Sequence, residues 1–349
     1  MTPKAYPIHV GEDAPEALRA FLAGKHYSSL LLLTDEQVRQ QVYPRLAPFL
    51  PPHQLLALPP GEAHKNLESC TAIWARMTEM GLDRRGAVLN LGGGVIGDMG
   101  GFAAATFKRG VDFVQVPTTL LAQVDASVGG KLGIDFLHYK NQIGVFREPA
   151  GVFIAPQFLE TLPPRELRSG FAEVIKHHLI ADAPAWEALR HMQALDSADW
   201  AALIRHSLGI KAQIVAADPL ERGPRKALNF GHTLGHAIES YFLESGQPLT
   251  HGEAIAAGMI CEAWLSCEAG LLSEAEYQQV SAFIRRFFPP VELASQRDFN
   301  LYFRTLQDKK NSGSHVRYVL LDGIGRVRLD QEASREAVFR ALAAYRAGL

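Results

Sequence analysis

Along the first 155 residues, apolar positions gather in short runs separated by stretches with helical spacing. Residues 28–35 (SSLLLLTD) form a continuous apolar run that ends in polar residues, the pattern of a strand buried on both faces. QLLALPPGE (54–62) repeats that plan, and the amphipathic segment KNLESCTAIWARMTEMG follows it. AVLNLGGG (87–94), DFVQVPTT (112–119) and GVFIAP (151–156) are three further strand candidates, each closed by turn or small polar residues. Strands alternating with helices predict a mainly parallel sheet covered on both faces. Pro163-Pro164 marks a change of pattern. From RELRSGFAEVIKHHLI to about residue 290 the helical period dominates, in long Ala/Leu/Glu-rich segments. HVRYVLL (315–321) and GRVRLD predict a hairpin, and a final helix closes the chain. The expected fold class is therefore an N-terminal α/β domain over residues 1–157 and a mainly α-helical domain over 158–349.

Composition adds boundary conditions. A chain of 349 residues is comfortable as two domains, and 47% hydrophobic with 21% charged residues is ordinary for a globular protein. The 37 acidic and 35 basic residues leave a formal charge of −2, which excludes a general nucleic-acid binder but not a local basic pocket. Cys70, Cys261 and Cys267 form no C-x-x-C pair, and their odd number suits a reducing compartment. No signal-peptide pattern opens the chain, and no apolar run approaches the roughly 18 residues of a spanning helix. The expectation is a cytoplasmic protein that does not enter membranes.

VLNLGGGVIGDMGGF places Gly92-x-Gly94-x-x-Gly97 directly after a strand and at the start of a helix. Glycines there admit a pyrophosphate to the backbone, and helix-terminal amides favour its charge, so the first domain is expected to bind a dinucleotide. A tight turn without a ligand would use the same glycines. In the common dinucleotide fold an acidic residue ends the next strand, but here Asp112 precedes it, and two strands come earlier in the chain. A different strand order is expected, with Asp35 or Glu62 at earlier strand ends holding a ribose. Asp98, one turn into the helix, and Thr118 and Thr119 at a strand end are further contact candidates.

The segment TTLLAQVDASVGGKLGIDFLHYKNQIGVF (118–146) sets Asp125, Lys131, Lys140 and Asn141 among small and apolar residues. Lysines in a Gly-rich, apolar frame suit a fixed phosphate or carboxylate. Gly129-Gly130-Lys131 lacks the spacing of a P-loop, and Leu132 follows the lysine. Lys211, Arg225 and Asn229 add polar and positive groups before LNFGHTLGHAIES. In that motif His232 and His236 are one helical turn apart, but Thr233 stands where a zinc protease would carry its Glu. Glu173 in GFAEVIKHH and His251 in THGEAIAAGM complete four candidate metal ligands; Glu173 with two of the three histidines would make a catalytic site with an open position. Cys261 and Cys267 read as helix filler, and His177 or His178 as a possible neighbour of Glu173.

GGGVIGDMGGF, RGVDFVQVPTTLLAQVDASVGGK, KNQIGVF, SGFAEVIKH, LNFGHTLGHAIE and HGEAIAAGM, in this order over about residues 60–270, resemble the motifs of the 3-dehydroquinate synthase family within the sugar-phosphate cyclases. The resemblance implies a lyase of the shikimate pathway, converting a 3-deoxy-heptulosonate 7-phosphate to 3-dehydroquinate and phosphate. Tightly held NAD would oxidise a ring hydroxyl transiently, phosphate would leave, the hydride would return, and an intramolecular aldol step would close the ring. A divalent metal, zinc or cobalt, would act as Lewis acid.

By motif, the resemblance makes Glu173, His232 and His251 the metal ligands and His236 a neighbour of substrate or phosphate. It assigns Asp125, Lys131, Lys140, Asn141, Lys176, Lys211, Arg225 and Asn229 to the substrate pocket. Arg109 would reach across a homodimer, and Lys309 or Lys310 of the DKK motif would bind an anionic end of substrate. NAD would be held by Asp35, Glu62, Lys65, Gly93, Gly94, Val95, Asp98, Thr118 and Thr119. The chain departs from the family where many members read GGKTA-[IV]-N and it has Gly130-Lys131-Leu132-Gly133-Ile134-Asp135. Alternatives to the synthase are another cyclase of the group, a metal-dependent alcohol or glycerol dehydrogenase, and a dinucleotide-binding module. The last needs no Glu173 or histidines, and a neutral polyol needs none of the clustered Lys and Arg.

Overall fold

The computed structural model describes residues 6–137, 139–293 and 316–348, which form two compact units. The first is Met1–Pro163 with Trp200–Ala212 and the second Pro164–Asp199 with Gln213–Leu349.

In the first unit the elements are β1 (Ile8–Val10), α1 (Ala14–Lys25), β2 (Leu30–Asp35), α2 (Glu36–Gln41), α3 (Tyr43–Leu46), β3 (Gln54–Leu58), α4 (Leu67–Glu79), β4 (Ala87–Gly92) and α5 (Gly94–Thr106). β5 (Asp112–Pro117), β6 (Lys131–Phe136), β7 (Tyr139–Phe146) and β8 (Gly151–Ile154) follow. Six strands form one sheet in the order β1-β8-β5-β4-β2-β3, and every pairing is parallel. Alternation along the strands splits the core in two. Leu31, Leu33, Val88 and Phe113 meet Ile73 and Met77 of α4 and Met99 and Phe102 of α5. Leu30, Leu32, Leu89 and Val114 turn the other way, onto Leu18 and Leu22 of α1 and Phe158. Burial on both faces explains why β2 and β4 read as apolar runs rather than alternating ones, with Asn90 the one polar residue inside β4.

The chain passes from β2 outward to β3, then returns to the other side of β2 with β4 and continues through β5 to β8. The strand order therefore reverses between β2 and β4, the switch point beside which ligands of open α/β sheets bind. Asp35 ends β2 and Gly92 ends β4, so the candidate acidic residue and the glycine turn share that edge.

Two features escape the hydropathy pattern. β1 is only three residues long, too short for a period. The β6–β7 hairpin is antiparallel with a register shift between Ile134 and Phe136, and Leu137 and Asn141 have left-handed backbones (φ 47° and 53°). Its charged positions, Lys131, Asp135 and Lys140, mask the alternation.

The second unit is built on α6 (Pro164–Ala181), α7 (Ala183–Leu189), the end of α8 (Trp200–Ala217), α9 (His232–Glu244), α10 (His251–Glu268), α11 (Glu274–Phe287), the antiparallel pair β9 (Arg317–Leu321) and β10 (Val327–Glu332), and α12 (Arg335–Ala347). α10 is buried along nearly its whole length and packs against α6, α9, α11 and α12. Its glycines set how closely it lies on its neighbours. A Cβ at Gly258 would stand 2.1 Å from the Gly231 carbonyl oxygen and 2.6 Å from the Gly235 nitrogen; one at Gly252 would stand 2.1 Å from the Ser169 carbonyl oxygen. Both obstacles are backbone and cannot turn aside. Gly258→Ala is expected to destabilise the fold by about 3 kcal/mol, the upper range for overpacking. Gly209→Ala, in α8 with nothing near its added Cβ, should be neutral or stabilising by about 1 kcal/mol. Denaturant unfolding of the two variants checks this, and equal midpoints would contradict the packing argument.

Candidate active site

Three helices of the second unit bring the chemically active groups together. Glu173 lies in the middle of α6, fully buried. His232 is the first residue of α9 and His251 the first of α10. Their Nε2 atoms each lie 3.5 Å from Glu173 Oε1, and one ligand atom from each of the three residues falls within 4.8 Å of the others.

Each imidazole is also held from behind. His232 Nδ1 donates to the Phe230 carbonyl at 3.1 Å, which leaves Nε2 as the lone-pair nitrogen facing Glu173. His251 Nδ1 faces Glu239 Oε2 at 3.6 Å. This is the arrangement by which carbonyls and carboxylates orient metal-binding histidines. Burial, reinforced by the Lys176 charge, pushes the His232 pKa down to about 4, so the ring is neutral and able to ligate at neutral pH. Burial works the same way on His251, but Glu173 and Glu239 outweigh it and raise that imidazole to about 9. The Lys176 ammonium forms a buried ion pair with the second oxygen of Glu173, one turn along α6.

The starts of α9 and α10 are fastened so that both histidines stay in place. Gly231, the N-cap of α9, has a left-handed backbone and no side chain to cap with. Glu262, buried on α10, supplies the cap: its oxygens accept from Gly231 N at 2.7 Å and Leu234 N at 2.9 Å. α10 begins with a capping box between Thr250 and Glu253, and Arg165 of α6 grips Glu253 through Nε at 2.8 Å and Nη2 at 2.7 Å. Ser169 Oγ accepts from Gly252 N at 2.9 Å.

His236 stands beside these groups, its ring centroid 5.2 Å from that of His232 and 5.8 Å from that of His251. His236, Glu239 and His251 form a second set within metal-binding reach. Just before α9, the turn Pro224–Asn229 carries Arg225, fully buried with Nη1 donating to the Pro219 carbonyl, and Asn229, whose Nδ2 donates to Glu221 at 2.8 Å.

In the first unit, the turn Gly93–Val95 opens α5, and a small cavity beneath it is lined by Gly93, Gly94, Gly97, Gln115, Ala126 and Ser127. Thr118 N donates to the Gly92 carbonyl, and Thr119 packs so tightly that a Cβ on Gly93 would lie 2.9 Å from its methyl. Lys65, almost fully buried, donates to Asp98 Oδ2 and to Asn141 Oδ1, both at 2.6 Å. Burial opposes its charge, but the Asp98 and Glu62 carboxylates prevail and hold the ammonium above its ordinary pKa. Glu62 lies 3.7 Å from Lys140. Asp35 Oδ1 caps α2 by accepting from Gln37 N and Val38 N, both at 2.9 Å. Asp125, in a π-helical turn, pairs with Lys211 at 2.8 Å. Lys131 is exposed at the start of β6, and Arg109 is exposed in a left-handed turn with φ 68°. Lys309 and Lys310 lie outside the described residues.

Sequence reasoning passed over Glu239 and Glu262, the carboxylates behind His251 and at the start of α9. The available signal was an acidic residue inside an otherwise apolar helix, as in MICEAWL, where a buried charge requires a partner.

Family models for the 3-dehydroquinate synthase N-terminal and C-terminal regions match residues 55–169 and 170–311. A 3-dehydroquinate synthase of Parabacteroides distasonis is 38% identical over 345 residues, covering 97% of each chain. Among solved structures, 2-epi-5-epi-valiolone synthase from Streptomyces hygroscopicus, with NAD+ and Zn2+ bound, superposes with a TM-score of 0.89 at 27% identity, over 100% of this chain and 99% of that one. A 2-deoxy-scyllo-inosose synthase complexed with carbaglucose-6-phosphate, NAD+ and Co2+ gives 0.88 at 25% identity, over 98% and 97%. With two models spanning most of its length and a relative this similar end to end, the chain belongs to the 3-dehydroquinate synthase family.

Proposed function

We propose that this chain converts a 3-deoxy-heptulosonate 7-phosphate to 3-dehydroquinate and phosphate, using NAD and a divalent ion, zinc or cobalt. The observation that carries the reading is the convergence of two oriented imidazole Nε2 atoms on one buried carboxylate oxygen. Two nitrogens and one oxygen suit zinc or cobalt and leave a position for substrate. Glu173, His232 and His251 are preferred over the set His236, Glu239 and His251, which shares His251 with them. Glu239 faces the Nδ1 side of His251 and Glu173 the Nε2 side, so Glu239 supports the ligand rather than sharing its ion. The NAD+, Zn2+, Co2+ and sugar phosphate in the two cyclase structures support the same assignment.

When bound, NAD accepts and returns a hydride, and the ion acidifies the hydroxyl being oxidised. The protein supplies placement and charge. In the first unit, which we take as the NAD domain, the amides of Gly93, Gly94 and Val95 at the start of α5 receive the pyrophosphate, beside Thr118 and Thr119. Asp35, Glu62, Lys65 and Asp98 hold the remainder of the dinucleotide. Asp125, Lys131, Lys140, Asn141, Lys176, Lys211, Arg225 and Asn229 bind the anionic and hydroxyl groups of the sugar phosphate. His236 faces the leaving phosphate. Thr233, standing where a hydrolytic zinc site carries its Glu, leaves no built-in base for activating water.

We further propose a cytoplasmic homodimer in which Arg109 reaches the partner's site. Support comes from Arg109's exposed position and from Phe136, Leu137 and Phe146, large apolar residues exposed on the β6–β7 hairpin. The three cysteines are all free thiols, as a reducing compartment requires.

The test is release of inorganic phosphate from the heptulosonate phosphate by purified protein with NAD. Release is expected to stop on chelation and return on adding zinc or cobalt. His251→Ala should lower metal content and turnover together by at least about tenfold, as loss of a ligand implies. No phosphate from the metal-loaded protein, or net NADH accumulation with glycerol instead, would overturn the reading.

A further inference from the structure

Asp135 lies at the register shift in the β6–β7 hairpin and touches two of the residues assigned above without being one of them. Its Oδ1 accepts from the Asn141 N–H at 2.7 Å, and its own N–H donates to the Lys65 carbonyl at 2.8 Å. Asn141 has a left-handed backbone, with φ 53°, a conformation that asparagine visits more readily than most residues carrying a Cβ and that the Asp135 bond to its N–H fixes here. From that conformation its amide oxygen accepts from Lys65 Nζ at 2.6 Å, the nitrogen that also binds Asp98. A closed circuit results: Asp135 fixes the backbones of Asn141 and Lys65, and the side chains of those two residues meet each other.

We infer that Asp135 is a positioning residue for the cofactor site, holding Asn141 left-handed so that its amide keeps Lys65 aimed at bound NAD. The inference rests on the placement of NAD proposed above. What it requires of residue 135 is an acceptor oxygen at Oδ1; the negative charge is secondary. An asparagine at 135, as many members of the family carry in the corresponding motif, would present the same acceptor. The departure from the family's sequence at this position therefore preserves the circuit.

The experiment is titration of the purified, metal-loaded enzyme with NAD alone, with thermal unfolding of each variant as a control on folding. Asp135→Ala is expected to weaken NAD binding about tenfold, the effect of losing one hydrogen bond to a charged acceptor, while Asp135→Asn stays within about twofold of the parent. In an Asn141→Gly background, where the left-handed backbone needs no support and the amide is gone, Asp135→Ala should add less than about twofold. Parental affinity in Asp135→Ala while Lys65→Ala or Asn141→Ala binds weakly would overturn the positioning role and leave the cofactor placement standing. Equal losses in Asp135→Ala and Asp135→Asn would overturn it in favour of a charge effect. Parental affinity in both Lys65→Ala and Asn141→Ala would bring down the cofactor placement, and the inference with it.

Discussion

A carboxylate wholly withdrawn from water is the constraint on which the second unit depends. Glu173 is fully buried in the middle of α6, where an uncompensated charge would be strongly destabilising. Compensation arrives from Lys176 on the same helix and from the imidazole of His251 at the start of α10, while the neutral His232 turns its Nε2 to the same carboxylate from the start of α9. For those starts to reach Glu173, the helices must lie closer than ordinary side chains allow. Gly231, Gly235, Gly252 and Gly258 make that approach possible, and Glu262, Glu253, Arg165 and Ser169 lock it by bonding the helix termini to their neighbours. The electrostatic demand of Glu173, with the ligand geometry gathered around it, thus accounts for features of three helices.

The first unit answers a different constraint, the need to bring backbone amides close to an anion. Its sheet reverses order between β2 and β4, and the glycine turn occupies that edge. Small residues keep the approach open, and the buried Lys65 ammonium, bonded to Asp98 and to the exposed Asn141, keeps its charge because the Asp98 and Glu62 carboxylates outweigh burial. Function in this reading comes from two fixed arrays, one of amides and lysines and one of imidazoles and a carboxylate. Each array is rigid because its members are hydrogen-bonded behind the face they present.

Much of this was legible in the sequence, and the reasons differ by element. β2, β4 and β5 announced themselves because strands buried on both faces are mainly apolar, interrupted here only by Thr34, Asn90 and Gln115 and by the terminal Asp35 and Asp112. The helical half followed from its period, and the β9–β10 hairpin from its short apolar runs. The six-residue motif GGGVIG placed the turn correctly, and Asp112, at the start of its strand rather than at its end, correctly signalled a strand order unlike the common dinucleotide fold. The β6–β7 hairpin stayed hidden because its alternation is overwritten by Lys131, Asp135 and Lys140. Packing of Trp200–Ala212 with the first unit is a long-range property that no local period carries. His232 and His236 looked equivalent by spacing, yet only His232 heads its helix with Nδ1 tied to a carbonyl and Nε2 toward Glu173. Glu239 and Glu262 were unreadable because a carboxylate in an apolar helix reveals nothing about its partner until the fold supplies one.

The central claim is that Glu173, His232 and His251 together hold a divalent ion. X-ray absorption at the cobalt edge of the cobalt-loaded protein tests it most directly, because imidazole rings give a distinct outer-shell scattering pattern. Two imidazoles with an oxygen ligand are expected in the parent and one imidazole in His251→Ala, with the His236→Ala spectrum unchanged from the parent. Loss of an imidazole in His236→Ala, or an unaltered spectrum in His251→Ala, would contradict the account.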